Sequence, residues 1–259
     1  MRYLLYLTFF TLLGCQGRPD TTTGSDTTED ANPPAEGFNA AGSDERAIAL
    51  ADSVVLAHGG RRAYDQARYF EWNFFGVRDL VWDKQQQRVR IDVPEKETIY
   101  LLDYSGAAPT GRVRRQGVEL TSPDSVALYL QDAMSIFIND SYWLVQPFKL
   151  KDSGVTLKYG GEATDPQKNR PSEIIELTFS GVGDTPGNRY QLYVDKDSHR
   201  INTWQFYRDA ADEEPTMETP YDDYQDYSGL MLSGDRGGRF QLGGIRVPDE
   251  VAETTFTQF

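Results

Sequence analysis

The chain has little of what most enzymes and most small exported domains rely on. Its 259 residues include one cysteine, Cys15, and two histidines, His58 and His199. A lone thiol forms no intrachain disulfide, so stability must come from buried apolar surface, and a chain of this length can bury a core. The three or four closely spaced ligands of a zinc site are missing. No Gly-x-Ser-x-Gly elbow, Gly-Lys-Ser/Thr phosphate loop or paired-cysteine motif occurs. The apolar run of residues 3–13 falls short of the ~20 residues that span a bilayer. Positive charge is scarce: 26 basic residues stand against 40 acidic ones, a net charge of −14. Nucleic acid and anionic lipid surfaces would repel such a chain. The expectation is a protein with no catalytic residue, no metal and no cofactor.

What is present begins at the N-terminus. A basic Met1-Arg2, a short apolar core and a small residue before a cut site describe a secretory signal. Leu12-Leu13-Gly14-Cys15 resembles the lipobox of bacterial lipoproteins. That resemblance implies that residues 1–14 are removed and that Cys15 is lipidated and tied to a membrane. Acyl chains of the palmitate kind add ~0.8 kcal/mol per buried methylene, so several hold a protein persistently. By the sorting pattern of proteobacterial lipoproteins, Gln16 in place of Asp points to the outer membrane, on its periplasmic face or at the cell surface. Residues 15–42, rich in Thr, Asp, Pro and Gly, read as a disordered acidic tether. Residues 43–259 then form one domain without internal repeats.

Within that domain, residues 44–58 carry Ala47, Ile48, Ala51, Val54, Val55 and His58 on one helical face, and Gly59-Gly60 supply a left-handed stop. The period then switches to two. Phe70, Trp72 and Phe74 share one side of a strand over residues 69–75, and residues 88–93 alternate cleanly. Residues 98–104 and 111–120 follow as strands. A second helix is expected over residues 122–138, with Ser122 as cap, Pro123 in the first turn and one apolar stripe. Strands resume at residues 155–159, 173–180, 189–194 and 200–207, and again around 224–232, 239–242 and 251–259. Roughly ten strands without a βαβ rhythm imply an antiparallel α+β domain.

This order of elements resembles the LolA/LolB-like superfamily of outer-membrane lipoprotein sorting. The likeness covers residues 44–259 and is nearest to lipoproteins of Bacteroidota. It is carried by Ala57-His58-Gly59-Gly60, by Pro147-Phe148-Lys149-Leu150, and by Thr185-Pro186-Gly187 before Tyr190-Gln191-Leu192-Tyr193-Val194-Asp195. The resemblance implies a curved, incomplete antiparallel β-barrel with helices covering its open side, around an apolar cavity. It also implies handling of lipids or lipoproteins. Within the superfamily LolA is a soluble carrier and LolB an anchored receiver; the Cys15 anchor fits a fixed binder better than a shuttle.

The candidate ligand groove consists of bulky residues on strands or beside the second helix: Phe70, Trp72, Phe74, Trp143, Phe148, Trp204 and Phe206. Val126, Leu130, Met134 and Phe137 would form the helix lid. Burying an alkyl chain there gains ~25 cal/mol per Å² without polar recognition. The same aromatics would equally fill a closed core, leaving a structural or protein-binding module. A hydrolase is the weaker alternative. His58 reads as a helix cap, His199 as a turn residue, Asp195-x-Asp197 as turn chemistry, and residues 221–227 as a solvated connection. The expected partners are the membrane, through Cys15, and a hydrophobic ligand, either an acyl chain or a lipoprotein. The sequence leaves the oligomeric state open.

Overall fold

The computed structural model describes residues 31–181 and 187–259. Cys15, the lipobox, residues 15–30 of the tether, and Thr185 and Pro186 lie outside the described residues. Three antiparallel meanders build the domain. The first runs β1 (Tyr69–Phe74), β2 (Arg78–Asp83), β3 (Arg88–Val93), β4 (Thr98–Asp103), β5 (Thr110–Arg115) and β6 (Val118–Glu119). The second runs β7 (Val155–Thr164), β8 (Pro171–Phe179), β9 (Arg189–Asp195), β10 (Ile201–Tyr207) and β11 (Met217–Pro220). The third, β12 (Asp222–Tyr227), β13 (Leu230–Arg236) and β14 (Phe240–Arg246), returns to pair β14 with β1. The outcome is a nine-stranded sheet, β12-β13-β14-β1-β2-β3-β4-β5-β6, and a five-stranded sheet, β11-β10-β9-β8-β7. The sheets do not close on each other, consistent with an incomplete, curved barrel.

Among the described residues fourteen strands are present where about ten were expected. In β2 only Leu80, Trp82 and Asp83 are buried, and its charges mask the alternation; β11 is short and ends in proline. Residues 111–120 split at Gln116-Gly117 and residues 224–232 at Ser228-Gly229, each pair with positive φ. Positive φ at both central residues is what a tight two-residue hairpin turn needs. Residues 251–259 hold no strand: Thr254–Thr257 form a short helix, α4. Nearby, arginines of the sheet take up the carbonyls of Thr255, Thr257 and Gln258. Residues 221–227 are not a solvated connection either, because β12 forms an edge strand with Tyr221 buried beside it.

The first helix, α1 (Glu45–Ala57), packs its apolar face against β7 and β8. Asp44 ties the helix start to β7 by accepting from the Tyr159 amide (3.0 Å) and Lys158 (2.9 Å). A second helix, α2 (Gly60–Gln66), follows at once. Between them Gly59 has φ 108°, and a Cβ there would lie 2.1 Å from the Gly229 carbonyl, so only glycine fits. The expected tether boundary at residue 42 does not hold for residues 35–39, whose backbone is bonded to the domain. Ala35 already donates its amide to Lys151 (2.9 Å), Asn39 donates to Val155 (3.0 Å), and Gly37 accepts from Gly154 (2.9 Å). The predicted second helix is also longer than expected: α3 (Pro123–Val145) leads directly into a 3-10 turn at Gln146–Phe148. No helix among the described residues is long and apolar enough to cross a membrane.

His58 caps α1 from a fully buried position. Its Nδ1 lies 2.7 Å from the Val54 carbonyl and its Nε2 3.2 Å from the Tyr224 hydroxyl. Burial, with a smaller push from Arg200, lowers its pKa from 6.5 to about 4. Between those values the unfolded chain binds the proton and the folded chain does not, so stability falls as pH drops through this window. Over that interval the loss should approach about 3 kcal/mol, one pKa unit being ~1.4 kcal/mol. Urea denaturation at stepped pH should show this slope, and His58→Gln should lack it. An unchanged slope in the variant would remove His58 as its cause.

Candidate functional site

The candidate site lies between α3 and the five-stranded sheet, and its shape starts from how α3 is fastened. Arg78 on β2 forms a two-pronged ion pair with Asp140 on α3, at 2.7 and 3.0 Å. The Asp140 carboxylate is fully buried. Further along α3, the Trp143 carbonyl would bond the amide four residues on, but that residue is Pro147, which has none. Arg236 on β13 fills the role, donating to the Trp143 oxygen at 2.7 Å while its guanidinium sits 3.8 Å from the Tyr221 ring centre. Both arginines belong to the nine-stranded sheet.

Toward the five-stranded sheet α3 makes ring contacts instead. Tyr142 meets Phe179 and Tyr190, with ring centres 6.5 and 5.7 Å apart, and Trp143 meets Trp204 edge-on at 4.5 Å. These stiff rings hold the surfaces apart and leave a cavity of about 660 Å³. Small-molecule sites commonly occupy ~300–1,000 Å³. On the α3 side the wall is Met134, Phe137, Ile138, Tyr142 and Trp143. The five-stranded sheet contributes Val155, Phe179, Tyr190, Trp204, Phe206 and Met217. Trp82 and Tyr104 complete the wall beside Phe137, with ring centres 5.2 and 5.1 Å from it. Polar lining residues include Asn139, Ser141, Asn188, Ser153 and the ion pair Lys149–Asp152, at 2.6 Å.

The wall is chemically quiet. Burial pushes the Tyr104 hydroxyl up to about 12 and raises Tyr142 and Tyr190 above the ordinary phenol value, so these phenols stay neutral near pH 7. Trp82 donates its indole N–H to Tyr104 at 2.6 Å. Trp204 Nε1 and Tyr142 Oη are buried without a partner. Gln146, one turn after Tyr142, comes near that hydroxyl without hydrogen-bond geometry. No cluster of three or more His, Cys, Asp or Glu placed to hold a metal ion occurs among the described residues.

The sequence-chosen aromatics divide. Trp143, Trp204 and Phe206 line the cavity, together with Met134 and Phe137 of the helix stripe. Phe70, Trp72, Phe74 and Phe148 are turned into the closed core instead, Phe148 stacked on Tyr64 at 4.4 Å. Leu130 is buried and Val126 partly buried against that same core, away from the cavity. Sequence reasoning missed Trp82, Tyr104, Phe179, Tyr190 and Met217 as wall residues. Tyr190 was legible, since it continues the inward face that Leu192 and Val194 mark on β9. The other readings stand as turn and cap chemistry: Asp195 accepts from the amides of Asp197 (3.1 Å) and Ser198 (2.8 Å), and His199 sits at φ 54° in that turn.

No protein-family model matches the sequence, and no curated protein matches it. Among solved structures, the chain is similar to a DUF1329 family protein from Desulfovibrio piger, with 14% identity, 81% of this chain and 96% of that chain covered, and a TM-score of 0.44. It is also similar to a putative outer membrane lipoprotein-sorting protein domain from Vibrio parahaemolyticus, with 9% identity, coverage of 82% and 96%, and a TM-score of 0.43. A third likeness is to MucB, with 16% identity, coverage of 82% and 62%, and a TM-score of 0.25. Likeness at this level is one of general shape and says nothing of a ligand.

Core and wall aromatics should respond differently to truncation. Phe148→Ala empties a packed position and should cost ~3–5 kcal/mol. Phe206→Ala removes a ring that is only partly buried and should cost about 1 kcal/mol, from the smaller area returned to water. Equal losses in urea unfolding would mean that Phe206 is packed as tightly as the core.

Proposed function

We propose that this chain is a lipid-anchored protein of the bacterial envelope that binds acyl chains, of a lipid or of another lipoprotein, in the cavity between α3 and the five-stranded sheet. In this reading Cys15 carries the lipid and residues 15–34 form the tether; Gln16 favours the outer membrane. The observation that carries the binding role is the cavity itself: about 660 Å³, walled by aromatic and aliphatic side chains. Among the described residues the charges on its wall are Lys149 and Asp152, which cancel as a pair. Such a surface gains free energy from any flexible hydrocarbon that covers it and makes no demand on chain sequence. Binding is reversible burial with no covalent step, no metal and no cofactor. The resemblance to LolA/LolB-like proteins agrees with a fixed receiver or holder of lipid.

Access follows from the same asymmetry. The face of α3 toward the nine-stranded sheet is fastened by ions, so opening is by small shifts of the ring contacts among Tyr142, Tyr190, Trp143 and Trp204. Uptake of a fluorescent fatty acid by the purified protein tests the reading. Saturable binding is expected, and Ile138→Trp, which fills the cavity from α3, should weaken it about tenfold, equivalent to ~1.4 kcal/mol. No saturable uptake by correctly folded wild-type protein would leave the cavity without this role.

A further inference from the structure

Resting on the reading that the cavity takes an acyl chain, we propose that Lys149 and Asp152 select the head of that ligand, and that the head they fit is zwitterionic, a phosphate joined to an ammonium as in a phospholipid without net charge. The apolar wall accepts any hydrocarbon, so selection falls to the charges at its edge. Lys149 and Asp152 line the cavity with side chains 33% and 35% exposed, and among the described residues they are the charged groups that do. That partial exposure puts them where the wall meets solvent, whereas Phe137 and Trp204 are buried. Ser153, exposed in the same loop, adds a hydroxyl to this edge. Tyr142 marks where the carboxylate points: burial chiefly raises its pKa, with smaller pushes from its neighbours, Asp152 among them.

The backbone beneath the pair is fixed, and the two side chains are free to change partners. The Asp152 amide donates to the Lys149 carbonyl at 3.2 Å. Bonds from Ala35 to Lys151 and from Gly154 to Gly37, both 2.9 Å, pin the loop on either side of Asp152. Neighbouring cations are engaged elsewhere: Lys151 with Asp52 at 2.5 Å, and Arg61, which reaches the Phe148 carbonyl, with Asp65 at 2.7 Å. Lys149 and Asp152 meet at 2.6 Å in a setting where solvent makes such a pair weak. A zwitterionic head can therefore exchange with it, phosphate to the Lys149 ammonium and ligand ammonium to the Asp152 carboxylate, and every charge stays paired. An anionic head alone takes Lys149 and leaves Asp152 beside a like charge; a cationic head alone strands Lys149. The net charge of −14 adds to the penalty for an anion. A fatty acid still enters by its hydrocarbon but gains nothing at its head.

Dodecylphosphocholine, dodecyl phosphate and dodecyltrimethylammonium share one chain and differ in the head. Each is titrated calorimetrically into the full chain at low salt, below its micelle-forming concentration. The zwitterion should bind about tenfold tighter than either singly charged probe. Asp152→Asn frees Lys149 and should make dodecyl phosphate the tightest ligand; Lys149→Gln should do the same for dodecyltrimethylammonium. Both side chains are partly exposed, so both variants should keep the wild-type urea midpoint. Asp197→Asn, 85% exposed and off the cavity wall, makes the same charge change as Asp152→Asn and should leave the wild-type ranking intact. Equal affinity of the wild type for the probes, an unchanged ranking in Asp152→Asn, or the same reversal in Asp197→Asn overturns head selection and leaves the apolar site in place. Failure of every probe to bind the folded wild type removes the underlying reading as well.

Discussion

Two arginines fasten α3 to the nine-stranded sheet, Arg78 through buried Asp140 and Arg236 through the Trp143 carbonyl that Pro147 leaves without a donor. Nothing of comparable strength ties α3 to the five-stranded sheet among its described contacts, where it meets rings. Removing one partner of a buried ion pair costs ~3–5 kcal/mol, whereas an aromatic pair adds ~0.5–1.5 kcal/mol beyond its buried area. The helix therefore keeps its place on one sheet and stands off from the other by the width of its aromatic side chains. A gap with greasy walls follows from that imbalance, and the proposed binding role follows from the gap.

Much of the architecture was written in short-range pattern. The α1 stripe from Ala47 to Val55, its His58–Gly59 end and the strict alternation of Phe70, Trp72 and Phe74 translate directly into buried faces. What pattern could not say is which interior those faces reach. Phe74 and Trp143 are equally bulky and touch each other edge-on, ring centres 6.2 Å apart, yet one is closed core and the other cavity wall. That difference depends on where α3 sits, hence on a contact between residues 78 and 140 that no local window contains. The same limit explains the ends of α3. Its apolar stripe is interrupted at Asn139-Asp140-Ser141, yet the helix continues through buried Trp143, Leu144 and Val145, held by the long-range bonds of Asp140 and Arg236. Strand β2 was hidden for a related reason: the Arg78 that broke its alternation is the residue that fixes the helix.

The stretch leading into the domain has a structural part as well. From Ala35 to Asn39 the backbone is bonded to residues 151–155, and Asp152, Ser153 and Val155 of that same loop line the cavity. Whatever the chain before Ala35 is attached to, the point of attachment meets the folded body at the edge of its cavity.

The central claim is that the space between α3 and the five-stranded sheet is apolar and open to a guest. Xenon, which enters dry hydrocarbon-lined cavities and ignores polar ones, examines this without assuming any ligand. Diffraction from crystals held under xenon pressure should place anomalous peaks between Phe137, Tyr190 and Trp204. Crystals that take up no xenon there, with side chains filling the space, would contradict the account.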